Sequence, residues 1–134
     1  MKKIGVVAAI AVLAVVAIAA GEPYGTTTVA DVSLTGQTGS TSTTTLYTPG
    51  ADGDYLVTIY NSCGSGSGTS FETALDYTDE FRSYTENPSV SASSNGHGTI
   101  VALIHAASGD AIQYYTSYSG GTSACDTFVK LVKL

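Results

Sequence analysis

Short apolar or aromatic runs, separated by connectors rich in glycine, serine and asparagine, make up most of the chain after residue 23. Eight such runs predict strands, at residues 26–34, 42–48, 54–61, 69–78, 89–93, 98–105, 110–119 and 125–134. The connectors include GQTGS, GSGSG, SSNGHG and SGGTS, which contain the residue types that turns require. Eight short strands in about 110 residues predict an all-β fold, a two-sheet antiparallel sandwich of the jelly-roll type.

The amino-terminal segment has a different pattern. Two lysines precede an uninterrupted apolar run over residues 4–20, which Gly21, Glu22 and Pro23 then interrupt. A basic start, an apolar stretch and small residues before the break are typical of a secretory signal peptide. A retained apolar helix is the alternative, because a run of this length is near the lower limit for spanning a bilayer. We therefore predict a signal peptide or apolar helix over 1–20 and a β-sandwich domain over 21–134.

Three of the predicted strands, 54–61, 98–105 and 125–134, carry apolar side chains on both of their faces. A sandwich strand normally packs one face in the core and exposes the other to water. A second apolar face would form a surface patch of a size that monomers avoid. The pattern therefore predicts that the second face packs against a neighbouring copy, although a long loop covering a central strand is the alternative. The candidate interface residues are Tyr55, Val57, Ile59, Tyr114, Tyr118, Phe128 and Val132.

A resemblance to a known family begins at the same place. The segment GDYLVTI at 53–59 resembles the Gly-x-Tyr-x-apolar-x-aromatic segment of tumour necrosis factor-like jelly rolls and of the trimeric heads of collagen-like complement proteins. LYTP at 46–49 stands where that family ends a strand before its turn, and residues 127–132 are similar to its closing strand. Short uncharacterised bacterial and phage structural proteins are similar over the same segments. Over 36–134, the resemblance implies a jelly roll, a threefold oligomer and a binding or structural role.

The two cysteines of the chain, Cys63 and Cys125, lie at the end of one predicted strand and the start of another. An even number of cysteines in an exported chain predicts one intrachain disulfide. Closing so long a loop stabilises a fold by about 4 kcal/mol in the chain-entropy model. Free thiols or bridges between chains are the alternative.

Charge narrows the range of partners. Five basic residues stand against eleven acidic ones, which gives a formal net charge of −6, and charged residues are only 12% of the chain. An acidic surface repels phosphate backbones, so we predict no nucleic-acid partner. A membrane is a predicted partner only if the amino-terminal helix is retained.

Candidate chemistry is sparse. The two histidines, His97 and His105, do not stand in the spacing of a metal site or a catalytic motif, so we predict no enzyme, no catalytic residue, no metal and no cofactor. The acidic groups at 52–54 and 76–80 could bind calcium, but aspartate beside glycine is also ordinary turn chemistry.

These patterns predict a non-enzymatic β-sandwich that is secreted or surface-exposed and associates with itself, most simply as a trimer, in a structural or adhesive role. One alternative is a subunit of an extracellular filament or pilus, with a retained amino-terminal helix or a donated end strand. Another is a small carbohydrate-binding module whose exposed tyrosines would contact the sugar.

Overall fold

The computed structural model describes residues 26–134, so the predicted signal peptide or amino-terminal helix lies outside the described residues. Within that range every regular element is a strand, and there are nine of them. The strands are β1 Thr27–Gln37, β2 Thr41–Tyr47, β3 Gly53–Cys63, β4 Ser70–Thr78, β5 Ser83–Tyr84, β6 Ser89–Ser93, β7 His97–Ala106, β8 Ile112–Ser119 and β9 Cys125–Lys133.

The strands form two antiparallel sheets. The first has the order β1-β9-β3-β7. The second has the order β2-β8-β4, and both β5 and β6 pair with the remaining edge of β4. The predicted all-β class with two antiparallel sheets is therefore confirmed for residues 26–134.

The strand count differs from the prediction by one. The additional strand, β5, consists of Ser83 and Tyr84, which pair with Thr78 and Tyr77 of β4. A ladder of two residues has no periodicity that a sequence pattern could reveal. Its pairing depends instead on the turn that reverses the chain after β4.

Strand β3 shows how the core is built. From Tyr55 to Cys63 its residues alternate without exception between buried and half-buried. The inward residues of β3 meet those of β9 and β7 and, across the sandwich, those of β4 and β8. The main apolar core includes Leu34, Tyr55, Val57, Ile59, Leu75, Ile104, Ile112, Tyr114, Val129 and Leu131.

A buried polar layer lies among these apolar side chains. Asn61, Thr73 and Thr127 are fully buried, and they come from β3, β4 and β9. Thr73 Oγ1 lies 2.8 Å from Asn61 Oδ1 and 2.9 Å from Thr127 Oγ1. The Asn61 Nδ2 group donates to the carbonyl oxygen of Val90 at 2.9 Å. These bonds join the two sheets through groups that would be costly to bury without partners.

The predicted disulfide is confirmed. Cys63 and Cys125 face each other across β3 and β9 and are bonded to each other. With Phe71 and Ala92 they form a second, smaller buried cluster. The bond ties the last strand to the middle of the first sheet.

Candidate interaction face

The side of the first sheet that points away from the core carries several apolar side chains among polar ones. We call it the outer face, and it is formed by the alternate residues of β3, β7 and β9. Its apolar side chains are Leu56, Tyr60, Val101, Leu103, Phe128 and Val132.

The strand register places these side chains in rows across the sheet. Leu56 lies between Leu103 of β7 and Val132 of β9, so one row is entirely aliphatic. In the row that contains Tyr60, the tyrosine ring packs on Phe128 with 6.0 Å between ring centroids. Cross-strand neighbours of this kind contact one another within a row. Between these two rows lies a third, in which Val101 is aligned with Thr58 and Lys130.

Three side chains of the outer face remain open to solvent. Leu103 is 65% exposed, Val101 is 60% exposed and Phe128 is 41% exposed. Val101 and Leu103 are neighbours along β7, whereas Phe128 lies on β9 beside Tyr60, with β3 between the two strands.

One end of the outer face is bordered by a hydrogen-bonded row of charged groups. His105 is the cross-strand partner of Asp54, and its Nδ1 lies 2.7 Å from Asp54 Oδ1. Its Nε2 lies 3.1 Å from Oε1 of Glu80, which follows β4 of the second sheet. Hydrogen bonds to Asp54 and then to Glu80 raise the pKa of His105 above its usual 6.5. The row therefore links the two sheets beside Leu103.

The other end of the face is bordered by His97, whose ring stacks on Tyr60 with a centroid distance of 6.4 Å. Both histidines of the chain thus lie at the margins of the outer face. At neither margin do they form a metal site: within residues 26–134, no group of three or more His, Cys, Asp or Glu side chains converges as metal ligands would.

The opposite surface of the sandwich has a different character. On the second sheet, Tyr115 lies among Glu72, Asp76 and Glu86. Burial, followed by the hydrogen bond and charge of Glu86 and by the other two carboxylates, raises the pKa of Tyr115 to about 12. The second sheet therefore carries an acidic cluster on its outer surface, whereas the first sheet carries the exposed side chains of Val101 and Leu103.

Four of the predicted interface residues lie elsewhere. Tyr55, Val57 and Ile59 are fully buried, and Tyr114 is 1% exposed, so all four pack between the two sheets in the core. They face the second sheet of their own chain, so the prediction placed them on the side of β3 and β8 that the sandwich itself covers. Since both faces of β3 are apolar, the prediction selected the face that packs inward.

The other three predicted residues have different positions. Phe128 and Val132 lie on the outer face. Tyr118 lies near the disulfide, where its ring packs edge-on against Phe71 and its hydroxyl donates to the carbonyl oxygen of Ser123 at 2.9 Å. Those contacts give Tyr118 a structural role at the end of the second sheet.

The predicted interface residues did not include Leu56, Val101 and Leu103, which lie on the outer face. A signal for them was available at Lys130, which stands in alternation with Phe128 and Val132. A lysine marks the solvent-facing side of a strand, since lysine is almost never fully buried. Extending that side to β3 and β7 also requires the register, which the sequence pattern does not specify.

Two further observations concern the predicted membrane and carbohydrate partners. Within residues 26–134 there is no helix, and so none that could cross a membrane. The carbohydrate-binding alternative would use Tyr24, Tyr47, Tyr84 and Tyr115. Tyr47 contacts Tyr55, Tyr84 stacks on Tyr77, and Tyr115 lies among carboxylates, while Tyr24 lies outside the described residues.

No protein-family model matches this chain, and no curated protein matches it in sequence.

Proposed function

We propose that this chain is a secreted or surface-exposed, non-enzymatic β-sandwich that associates with copies of itself through the outer face, in a structural or adhesive role. The exposure of Val101, Leu103 and Phe128 on the same side of one sheet is the observation that carries the proposal. A chain with a net charge of −6 resists non-specific aggregation, so a localised apolar face of this kind favours a specific contact.

The order of the strands supports assigning the sandwich to the jelly-roll type. The strand pairs are nested: β1 with β9, β2 with β8, β3 with β7, and β4 with β6. Rolling up one long antiparallel hairpin produces this pairing, which is how a jelly roll is constructed. It agrees with the resemblance to tumour necrosis factor-like and complement-head jelly rolls, from which we take the trimer as the proposed assembly.

The exposed apolar side chains contribute a modest amount to the free energy of association. Covering the exposed fractions of Val101, Leu103 and Phe128 is worth about 2.5–5 kcal/mol, at about 1.5–3 kcal/mol for each fully buried side chain. Association costs about 4–15 kcal/mol in lost freedom before any contact is counted. A stable assembly therefore needs contributions from both copies and from residues beyond these three.

Two other features agree with an exported, non-catalytic protein. The disulfide between Cys63 and Cys125 is of the kind that oxidising compartments preserve. Both ring nitrogens of His105 are hydrogen-bonded to carboxylates, so this histidine does not activate a serine or cysteine nucleophile.

The filament alternative is less well supported in its strand-donation form. Strand β9 lies between β1 and β3, is paired on both edges and is tied by the disulfide. Donating it to a neighbour would open the core of its own sandwich. The version with a retained amino-terminal helix concerns residues outside 26–134.

Sedimentation velocity tests the proposed self-association. The wild-type chain, in the form in which the expressing cell leaves it, should sediment as an oligomer. Leu103→Asp should raise the subunit dissociation constant at least about 30-fold, as loss of a central contact does. Ser117→Asp, which adds the same carboxylate at an exposed position of the second sheet, is the control and should leave assembly intact. Monomeric wild type, or assembly that Leu103→Asp leaves unchanged, would contradict the proposal.

A further inference from the structure

The histidine on the edge strand of the first sheet lies where only its charged form satisfies both neighbours. The Nδ1 atom of His105 lies 2.7 Å from Oδ1 of Asp54, and its Nε2 atom lies 3.1 Å from Oε1 of Glu80. An ionised carboxylate accepts hydrogen bonds and donates none, so both ring nitrogens must donate. A neutral imidazole has one N–H group, whereas the imidazolium has two. The row of three side chains is therefore complete only when His105 is protonated.

The two carboxylates of the row are not held equally firmly. Asp54 and His105 are cross-strand partners in the ladder of β3 and β7, so backbone pairing keeps their side chains together. Glu80 lies between β4 and β5, outside any strand, and its bond to the ring is the longer one. When the ring loses a proton, the remaining N–H stays with Asp54, and the lone pair of Nε2 then faces the Glu80 carboxylate. Because a lone pair and a carboxylate oxygen repel each other, the bond to Glu80 is the one that breaks.

The turn that carries Glu80, residues 79–82, has a shape of its own. Oδ1 of Asp79 accepts bonds from the backbone N–H groups of Phe81 and Arg82, at 2.7 and 2.8 Å. The backbone N–H of Asp79 donates to the carbonyl oxygen of Arg82 at 3.0 Å. These backbone bonds also hold the pKa of the Asp79 carboxyl below its usual value. The turn therefore keeps its conformation when its attachment to the rest of the molecule changes.

Two hydrogen bonds attach this turn to the edge of the first sheet. At its base, the backbone N–H of Ala107 donates to the carbonyl oxygen of Thr78 at 2.8 Å. Nearer the tip, the side chain of Glu80 bonds to His105 of β7. Phe81 at the tip is 86% exposed, so its side chain packs on little of the chain. The bond between Glu80 and His105 is therefore the contact that fixes the tip, and the base is the point about which the turn can move.

We propose that Asp54, His105 and Glu80 form a pH switch, in which the protonated ring holds the turn of residues 79–82 against β7 and deprotonation releases it. Hydrogen bonds to Asp54 and then to Glu80 raise the pKa of His105 above its usual 6.5. The turn is therefore held at pH values below that raised pKa and is released as the pH rises through it. The switch operates within one copy of the chain and does not depend on self-association.

No other acidic side chain of residues 26–134 is paired with the His105 ring. The remaining charged groups of the adjoining segments are engaged elsewhere. They are Asp52, whose carboxylate accepts a bond from the Ser108 N–H at 2.7 Å; Asp79, within its own turn; Arg82, whose guanidinium carbon lies 6.0 Å from the centre of the Tyr84 ring; and Lys133, beside Gly53. Deprotonation consequently leaves the Asp54 and Glu80 carboxylates at this edge without the cation between them.

Nitrogen-15 NMR of the imidazole ring tests which bond is lost. The wild-type chain, in the form in which the expressing cell leaves it, should have both nitrogens of His105 protonated below the pKa. Above the pKa, the shifts should show a proton on Nδ1 alone. A proton on Nε2 alone would overturn the proposal, since Glu80 would then keep its bond and Asp54 would lose one.

Relaxation of the backbone amides of Glu80, Phe81 and Arg82 measures the release of the turn. Their order parameters should be about 0.85 below the His105 pKa, as in rigid backbone, and should fall below about 0.6 above it. The amides of Val57 and Ile59, in the core strand β3, should keep the same values at both pH values. Unchanged order parameters in the turn, together with no exchange broadening, would overturn the switch.

Two substitutions of Glu80 distinguish the switch from an ordinary structural contact. A glutamine amide both donates and accepts, so Glu80→Gln can bond to either form of the ring and should keep the turn rigid on both sides of the pKa. Glu80→Ala can bond to neither form and should leave the turn mobile at both pH values. A Glu80→Gln chain that still releases the turn, or a Glu80→Ala chain with a rigid turn, would overturn the proposal. A monomeric wild type would refute the proposed self-association and would not affect this test.

Discussion

Replacing Thr73 by valine removes the hydroxyl at the centre of the buried polar layer and keeps the shape of the side chain. Thr73 is fully buried, and its Oγ1 lies within 2.9 Å of both the Asn61 amide oxygen and the Thr127 hydroxyl. Valine leaves both partners unsatisfied, and each unsatisfied buried group costs about 1–3 kcal/mol. We expect the free energy of unfolding to fall by about 2–4 kcal/mol, although the substitution makes the core more apolar.

Thr73→Ser is the matched control. Serine keeps the hydroxyl and loses one buried methyl group, which costs about 1 kcal/mol. If only buried apolar groups mattered, the valine variant would be more stable than the serine variant. If the hydrogen bonds of the buried layer matter, the serine variant is the more stable of the two. The order of the two variants therefore distinguishes the two explanations.

Urea unfolding at a fixed protein concentration is the assay, since self-association makes apparent stability depend on concentration. The chain contains nine tyrosines and no tryptophan, so tyrosine fluorescence and circular dichroism are suitable probes. A valine variant as stable as the wild type, or more stable than the serine variant, would refute the reasoning. Replacing all three polar residues by apolar ones of similar shape should recover part of the loss, because the two side-chain partners of Thr73 are then removed with it and only the Val90 carbonyl oxygen loses a bond.

Three further measurements follow from the same structure. Replacing Cys63 and Cys125 by alanine should lower the free energy of unfolding by about 3–4 kcal/mol, measured in the same urea assay; an unchanged midpoint would contradict the role given to the disulfide. Because folding raises the pKa of His105 above 6.5, the protonated ring stabilises the fold fully below pH 6.5, and this contribution is lost as the pH rises through the folded-state pKa. An NMR titration should show that raised pKa and its fall in Glu80→Gln; a pKa that the substitution leaves unchanged would exclude the bond to Glu80. Ultraviolet titration should show that the component lost in Tyr115→Phe ionises at about pH 12, and a lost component that ionises near the ordinary tyrosine pKa of 10.0 would count against its acidic surroundings.

The fold class could be predicted because its signals are local. Residues 89–93 and the run around 98–105 are strands in the structure, close to their predicted limits, because glycine- and asparagine-containing turns interrupt the chain on either side of them. The cysteine pair could be predicted from number and compartment alone. The strands could be predicted because the turn residues that bound them are close by in sequence, and the disulfide because it depends only on the number of cysteines.

The candidate site could be predicted only in part. Phe128 and Val132 share a strand side with Lys130, and they lie on the outer face. Tyr55, Val57 and Ile59 were placed on the wrong side of β3, since alternation separates the two faces of a strand and does not say which one is covered. Nothing in the pattern around Phe81 indicates that its turn is fastened to β7, because His105 lies far from it along the chain.

By itself, then, the sequence determined that this chain forms short antiparallel strands, that its two cysteines pair, and that it encodes more apolar strand surface than one face per strand requires. Only the tertiary structure decided which of the two apolar sides of β3 is buried, because that depends on where the second sheet packs. It also decided, through the pairing of β3 with β7 and β9, that Leu56, Val101, Leu103 and Phe128 form one surface. Propensity and turn chemistry act over a few residues, whereas a face is buried by contacts between strands that are distant in sequence.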